Sequence, residues 1–375
     1  MANIKKDEKT GTYYFKISLG TDPITGKRRQ TTRRGFKKKS DATKVYNELK
    51  NQYYGGSLIY NRSILFGDFF EDYLKWYKTR VKESTYENRI KTIEKNILLY
   101  FRNFKIDQIT PIVINNWQNE LIDRGLKPNY IRGLHATLSQ ILERALKLEL
   151  ISSNPAKKAG NVKKEKQEVD FWTEEELVQF CSVLDRTELL QDFAFIIINF
   201  LFYTGLRFSE MQALQWKDLD SQQKCVNISK DLYYRTSENW TFDDLKNKQS
   251  KRSVTLDNIT YQMLLDWKNR QQTLYKINEE SFIFSFNTLP TNKHFPYNYI
   301  TRFAPLANIK RIKTHALRHS HASYLIQLDV NIIAIARRLG HKDVQEVLKT
   351  YGHLYPQYQF DVVSNINDHR RKQEK

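Results

Sequence analysis

KTHALRHSHASYLIQLDVNIIAIARRLGHKDVQEVLKTYGHL, Lys313 to Leu354, is the stretch from which the rest of the chain can be read. It sets His315 three residues ahead of Arg318, continues to Gly340 and His341, and ends on Tyr351 between Thr350 and His353. Residues three apart on a helix share a face, so His315 and Arg318 can address one small group. The stretch is expected to be helical, capped by Thr314 and broken at Asp329 and Gly340. A guanidinium neutralises anionic oxygens, an imidazole moves protons, and a phenol can become a covalent nucleophile. Gathered at one point, these groups suit attack on a phosphodiester.

The composition points to the same kind of partner. Among 375 residues, 61 Lys and Arg stand against 42 Asp and Glu, a formal net charge of +19. Such an excess favours a polyanion, because each phosphate neutralised releases counterions. With 40% hydrophobic and 13% aromatic residues the chain can fill real cores, which excludes a disordered basic tail. Its length predicts two to three domains. Cys181 and Cys225 have no metal-ligand spacing, so neither a disulfide framework nor a zinc site is expected, and a cytoplasmic setting fits. No apolar run is long enough to suggest a membrane span.

Working outward, Thr173 and Glu176 form a capping box, and an apolar helix over Phe193–Tyr203 ends at Thr204-Gly205. Arg207 opens the next helix with Glu210 three residues on, a pair that can fix the guanidinium. Cys225–Ser229 alternates as a strand, and the segment DDLKNKQSKRSVTL reads as a β-hairpin with Lys246 before its turn. Asp257 caps a helix to about Tyr275, and SFIFSF (Ser281–Phe286) is a strand candidate.

Residues 1–55 read as a small sheet plus helix: Tyr13, Phe15, Ile17 and Leu19 alternate on one face, and Ser40 is the expected cap of the helix. Eight Lys and Arg lie between Lys27 and Lys39, and a basic ribbon fits a DNA groove, with Arg28, Arg29, Arg33, Arg34 and Lys37 as candidate contacts. The plainer reading is a solvated basic surface. Residues 63–153 carry four helical patterns, with signals at Ser84–Glu87 (a capping box), Thr110-Pro111, Gly125 and Pro128. Phe69, Trp76 and Trp117 read as core there. Residues 154–169 read as a charged linker whose Lys157, Lys158, Lys163 and Lys164 can also meet DNA, and 170–375 as the last domain.

Five short motifs then fall in order: TGLRFSE (204–210), LKNKQSKR (245–252), HALRH (315–319), LGH (339–341) and TYGHL (350–354). Together they resemble the tyrosine recombinases, the integrases of phages and integrative conjugative elements. The resemblance implies a multidomain chain, mainly α with α+β parts. It would comprise an arm-type DNA-binding module with a small β-sheet, a four-helix SAM-like core-binding domain and a mixed α/β catalytic domain.

It also implies the chemistry. Tyr351 would attack the scissile phosphate to leave a 3′-phosphotyrosine link, and Arg207 and Arg318 would clamp the non-bridging oxygens. His315 would move a proton near Tyr351, His341 would hydrogen-bond the phosphate, and Lys246 would protonate the leaving 5′-oxygen. Lys248 and Lys251 are rivals for that acid role, whereas Arg252 holds its proton too firmly. His319, His321 and His353 are assigned to packing or surroundings, and Tyr355 and Tyr358 lack the motif. No cofactor is called for. The implied partners are duplex DNA at core-type and arm-type attachment sites, sister subunits in a homotetramer on synapsed DNA, and an excisionase or host DNA-bending protein. The competing readings are a Xer-type resolvase, a type IB topoisomerase and a DNA-binding regulator without catalysis.

Overall fold

The computed structural model describes residues 4–21, 28–54, 64–165, 169–245, 250–341, 343–352 and 370. They divide into two compact units, Met1–Lys166 and Gln167–Lys375.

The first unit opens with strands β1 (Ile4–Lys6), β2 (Tyr13–Thr21) and β3 (Arg28–Phe36), antiparallel in the order β1-β2-β3. Strand alternation turns Phe15 and Ile17 toward helix α1 (Lys39–Tyr54), where they meet Ala42, Val45, Tyr46 and Leu49. The helix starts ahead of Ser40, so the expected cap lies inside the first turn.

The second part of this unit is a helical bundle: α2 (Phe66–Lys78), α3 (Glu83–Ile93), α4 (Leu99–Phe101), α5 (Pro111–Asp123), α6 (Pro128–Lys147) and α7 (Pro155–Ala159). Its aromatic core includes Phe66, Phe70, Tyr73, Phe101 and Trp117. Thr110 caps α5 by accepting from the Val113 amide at 3.4 Å, with Pro111 in the first turn as the sequence predicts. The expected Ser84–Glu87 box does not form. Lys82 is the boundary residue, so Ser84 is already helical, and Glu83 suits the positive helix end. Between α3 and α4 a π-turn over Glu94–Leu98 lets the Asn96 carbonyl accept from Trp117 Nε1 at 2.8 Å.

The linker expectation needs correcting at its start. Asn154 caps α7 by accepting from the Ala156 amide at 3.1 Å, and Pro155 and Ala156 are buried in the bundle. The Asn154 amide also donates to the Ser139 carbonyl at 2.9 Å, so this segment belongs to the bundle through about Val162.

In the second unit, α8 (Glu174–Ser182) has the full Thr173–Glu176 capping box, with bonds of 2.8 and 3.2 Å. Helix α9 (Leu189–Thr204) runs through the core and is apolar on nearly every side, as a central helix must be. Around it lie α10 (Phe208–Gln212), strands β4 (Leu219–Asp220), β5 (Cys225–Ile228), β6 (Lys230–Tyr234), β7 (Trp240–Asp244) and β8 (Arg252–Thr255), and helices α11 (Asn258–Leu274), α12 (His294–Phe303), α13 (Ala316–Gln327), α14 (Ile332–Leu339) and α15 (Val344–Tyr351).

Two strand expectations fail here. Among the described residues the strands on either side of Lys246 do not pair with each other: β7 pairs with β6, whereas β8 pairs with β5 in a sheet ordered β4-β5-β8. Residues 281–286 are not a strand either. Their buried carbonyls are served by side chains, Trp267 Nε1 reaching Ile283 at 2.7 Å and the Gln271 amide reaching Ser285 at 2.7 Å. Among the described residues no helix is long and apolar enough to cross a membrane.

Candidate active site

The site is assembled around the start of α13. His315 is the boundary residue of that helix, so the expected Thr314 cap does not form; the breaks at Asp329 and Gly340 do occur, both with positive φ. Helix α13 is held against α9, and Ser320 Oγ accepts from the Trp172 amide at 2.8 Å.

Arg318, on the buried face, is 3% exposed. Its Nη1 donates to the Gly205 carbonyl at 2.9 Å and its Nη2 to the Leu339 carbonyl at 2.6 Å. Gly205 closes α9 at φ 66°, and a Cβ there would collide with the His321 ring and Leu339. Burial, followed by the charge of Arg207, lowers Arg318 to about 9, so it stays cationic at neutral pH.

Arg207 stands at the start of α10. The fully buried Glu210 carboxylate accepts from its amide at 2.9 Å and from its Nη1 at 2.7 Å. The other claim on Glu210 comes from Arg252 at the start of β8, whose Nη1 and Nη2 lie 3.2 and 3.0 Å from the same two oxygens. Arg252 also donates through Nε to the Arg338 carbonyl at 2.6 Å, beside Gly340. Burial pushes Glu210 up, but the hydrogen bonds and charge of Arg252, joined by Arg207, outweigh it and hold the carboxyl below its ordinary range. Asp231 is a second carboxylate on this side; it accepts from Ser209 Oγ at 3.0 Å and is raised, chiefly by burial.

His341 follows the left-handed Gly340 that ends α14. Arg318 Nη2 lies 3.2 Å from its Nε2, and its Nδ1 lies 2.6 Å from Glu346 Oε2. A guanidinium can only donate, so Nε2 is the acceptor and Nδ1 carries the proton toward Glu346. Burial is the largest reason its pKa is lowered.

Tyr351 ends α15 and is 3% exposed. Burial pushes its phenol up to about 12, against a smaller opposing effect of Arg318. Its hydroxyl is hydrogen-bonded to His319 Nδ1, not to His315. His319, assigned to packing, thus packs directly on the phenol. His315 itself is exposed and meets His319 edge-on, ring centroids 5.2 Å apart. Desolvation by surrounding protein, then Arg318 and Arg207, lower its pKa. His321 is buried, as the sequence suggests, and accepts from Arg338 Nε at 3.0 Å.

The structure therefore brings Arg207, His315, Arg318, His341 and Tyr351 within one electrostatic neighbourhood. Lys246, Lys248 and His353 lie outside the described residues, and Lys251 is exposed. Sequence reasoning missed His319, although the four-residue step from His315 places both on one helical face. It also missed Arg252 as the second partner of Glu210, a contact between residues 42 apart for which the sequence carries no local signal.

The candidate DNA contacts fall in two stretches of the first unit. Arg33, Arg34 and Lys37 are exposed, with Arg34 stacked 5.6 Å over the Tyr14 ring. Arg28 and Arg29 belong to β3, their side chains lying outside the described part. Lys157 pairs with Glu143 at 2.8 Å, while Lys158, Lys163 and Lys164 are exposed.

Comparison with known proteins follows the same division. The ICEBs1 integrase of Bacillus subtilis (strain 168) is 29% identical over 371 residues, covering 98% of this chain and 99% of that protein. Among solved structures, the Tn1549 transposon integrase in complex with a circular intermediate DNA superposes with a TM-score of 0.66 at 19% identity, over 80% of this chain and 98% of that one. A λ integrase tetramer bound to a Holliday junction gives 0.59 at 17% identity, over 92% and 96%. Residues 3–53 match an arm DNA-binding domain and 65–122 the phage integrase N-terminal SAM-like domain. Residues 170–358, just over half of the chain, match the phage integrase family itself, and the chain belongs to that family.

Proposed function

We propose that this chain is a site-specific tyrosine recombinase that integrates and excises a mobile element in the cytoplasm. One observation carries the reading: the Arg207 and Arg318 guanidiniums both act on His315, and Arg318 is also coupled to the Tyr351 phenol, so cations, imidazole and phenol converge on one place. Convergent guanidiniums in a partly buried site are disposed to receive an anion, and a DNA phosphate supplies one.

In this reading Tyr351 Oη attacks the scissile phosphorus and the bond to the 5′-oxygen breaks. Arg207 and Arg318 neutralise the non-bridging oxygens as charge builds on them, and His341 and His315 add hydrogen bonds or move protons. Removing one such donor costs about 10²–10³ in rate. Lys246 protonates the departing oxygen. Because the bond is conserved in a 3′-phosphotyrosine, a 5′-hydroxyl from a second duplex reverses the step, which is strand exchange. A homotetramer on two synapsed sites, served by an excisionase or a DNA-bending protein, is the assembly that requires.

The test is a nicked suicide duplex carrying the attachment junction. Wild-type protein yields a covalent adduct and a joint product between two sites, whereas Tyr351→Phe binds the duplex and forms no adduct. An adduct with Tyr351→Phe would move the nucleophile elsewhere. An adduct with wild-type protein but no joint product would favour a topoisomerase.

A further inference from the structure

The histidine in contact with the phenol is not the one that opens the motif. His319 Nδ1 is hydrogen-bonded to Tyr351 Oη, and the two rings lie 5.6 Å apart between centroids. The charged and titratable groups acting on that imidazole are His315 and Arg318 of its own helical turn, His341 after α14, and the Tyr351 phenol on α15.

We propose that His319 is the general base that takes the phenolic proton of Tyr351 during cleavage and returns it on ligation, an assignment that rests on the recombinase reading above. In cleavage, Nδ1 accepts the proton as a lone pair on Oη forms the bond to phosphorus and the bond from phosphorus to the 5′-oxygen breaks. The departing 5′-oxygen takes its proton from an acid on its own side, Lys246 in that reading. In ligation an incoming 5′-hydroxyl gives its proton to that acid's conjugate base, the phosphorus–Oη bond breaks, and the imidazolium reprotonates the phenolate.

The geometry meets the first requirement of a base, contact with the proton to be moved. The protonation state meets the second. Burial, then the charges of His315, Arg318 and His341, push His319 down to about 4, so at neutral pH the ring is uncharged and Nδ1 can accept. With the phenol pushed up to about 12, transfer in the free protein is negligible. A phosphate held by Arg318 places negative charge against the guanidinium that weakens His319. Substrate arrival thus strengthens the base and ties activation of the nucleophile to DNA. His315, exposed at the helix start, is left free to face the phosphate.

The deciding variant is His319→Asn, whose amide oxygen can still accept a hydrogen bond near the position of Nδ1 but cannot carry a proton away. Single-turnover cleavage of the nicked suicide duplex is expected to fall by about 10²–10⁴, with DNA binding retained. A more acidic phenol, 3,5-difluorotyrosine at position 351, is expected to recover part of that loss. A 5′-bridging sulfur, which removes the need for an acid at the leaving group, is expected to recover none of it. Cleavage by His319→Asn within about threefold of wild type would reduce His319 to a positioning contact, and recovery by the bridging sulfur would assign it to the leaving group; either overturns the proposal. Should His319→Asn lose DNA binding, His319→Ala with added imidazole makes the same comparison: recovered adduct supports the base and its absence overturns it. Failure of wild-type protein to form an adduct would sink the recombinase reading itself, whereas a wild-type adduct with unaffected His319→Asn sinks this assignment alone.

Discussion

Glu210 has no contact with solvent and no direct part in the proposed chemistry, yet it sets the pose of two guanidiniums. Breaking a buried ion pair by removing one partner leaves an uncompensated charge and costs about 3–5 kcal/mol. Glu210→Gln is therefore expected to lower the unfolding free energy by about that amount, and to slow cleavage further in the protein that remains folded. Chemical denaturation checks the first effect and single-turnover cleavage the second; unchanged stability would mean that Arg207 and Arg252 find other partners. The Arg207–Glu210 pair is legible in the sequence because both members lie within one helical turn. The Arg252 contact is not, since it closes across 42 residues and depends on where β8 settles. Between these extremes is His319, whose helical face was readable but whose contact with Tyr351, 32 residues away, required the packing of α15.

Elements whose ends are satisfied locally were the easiest to read. Thr110, Thr173 and Asp257 cap their helices as the sequence suggests, each accepting from an amide three residues on. The strands were harder, because which strand pairs with which is decided by distant chain. β7 and β8 flank the Lys246 segment in sequence yet pair with different partners, so alternation alone misread them as one hairpin. At this scale Lys246→Ala is expected to reduce cleavage of an ordinary duplex strongly and to regain it on a substrate with a 5′-bridging sulfur. Adduct formation on the two substrates is the measurement. Failure to regain activity would transfer the acid role to Lys248, Lys251 or another group.

At the scale of the whole molecule, the division into a basic sheet module, a helical bundle and a mixed catalytic unit was legible because each carries its own hydrophobic period. Its boundaries were less so. The run of lysines after Asn154 hid Pro155 and Ala156, whose burial extends the bundle past the expected linker start. Removing residues 1–55 is expected to leave cleavage of an isolated core site intact while abolishing integration between two attachment sites. Recombination assays with full-length and shortened protein decide this, and integration by the shortened chain would deny the N-terminal module its arm-site role.

Gly205 lends its carbonyl to Arg318 from a left-handed turn with His321 and Leu339 pressed against the space a side chain would fill. For an inherited element this makes one codon unusually unforgiving. Replacement there would disturb Arg318, in the reading proposed above a clamp on the scissile phosphate, through its acceptor, whereas the N-terminal sheet module folds around a core of its own. The resulting protein would still occupy attachment sites without cutting them, and a copy so altered would leave its element stranded in the chromosome.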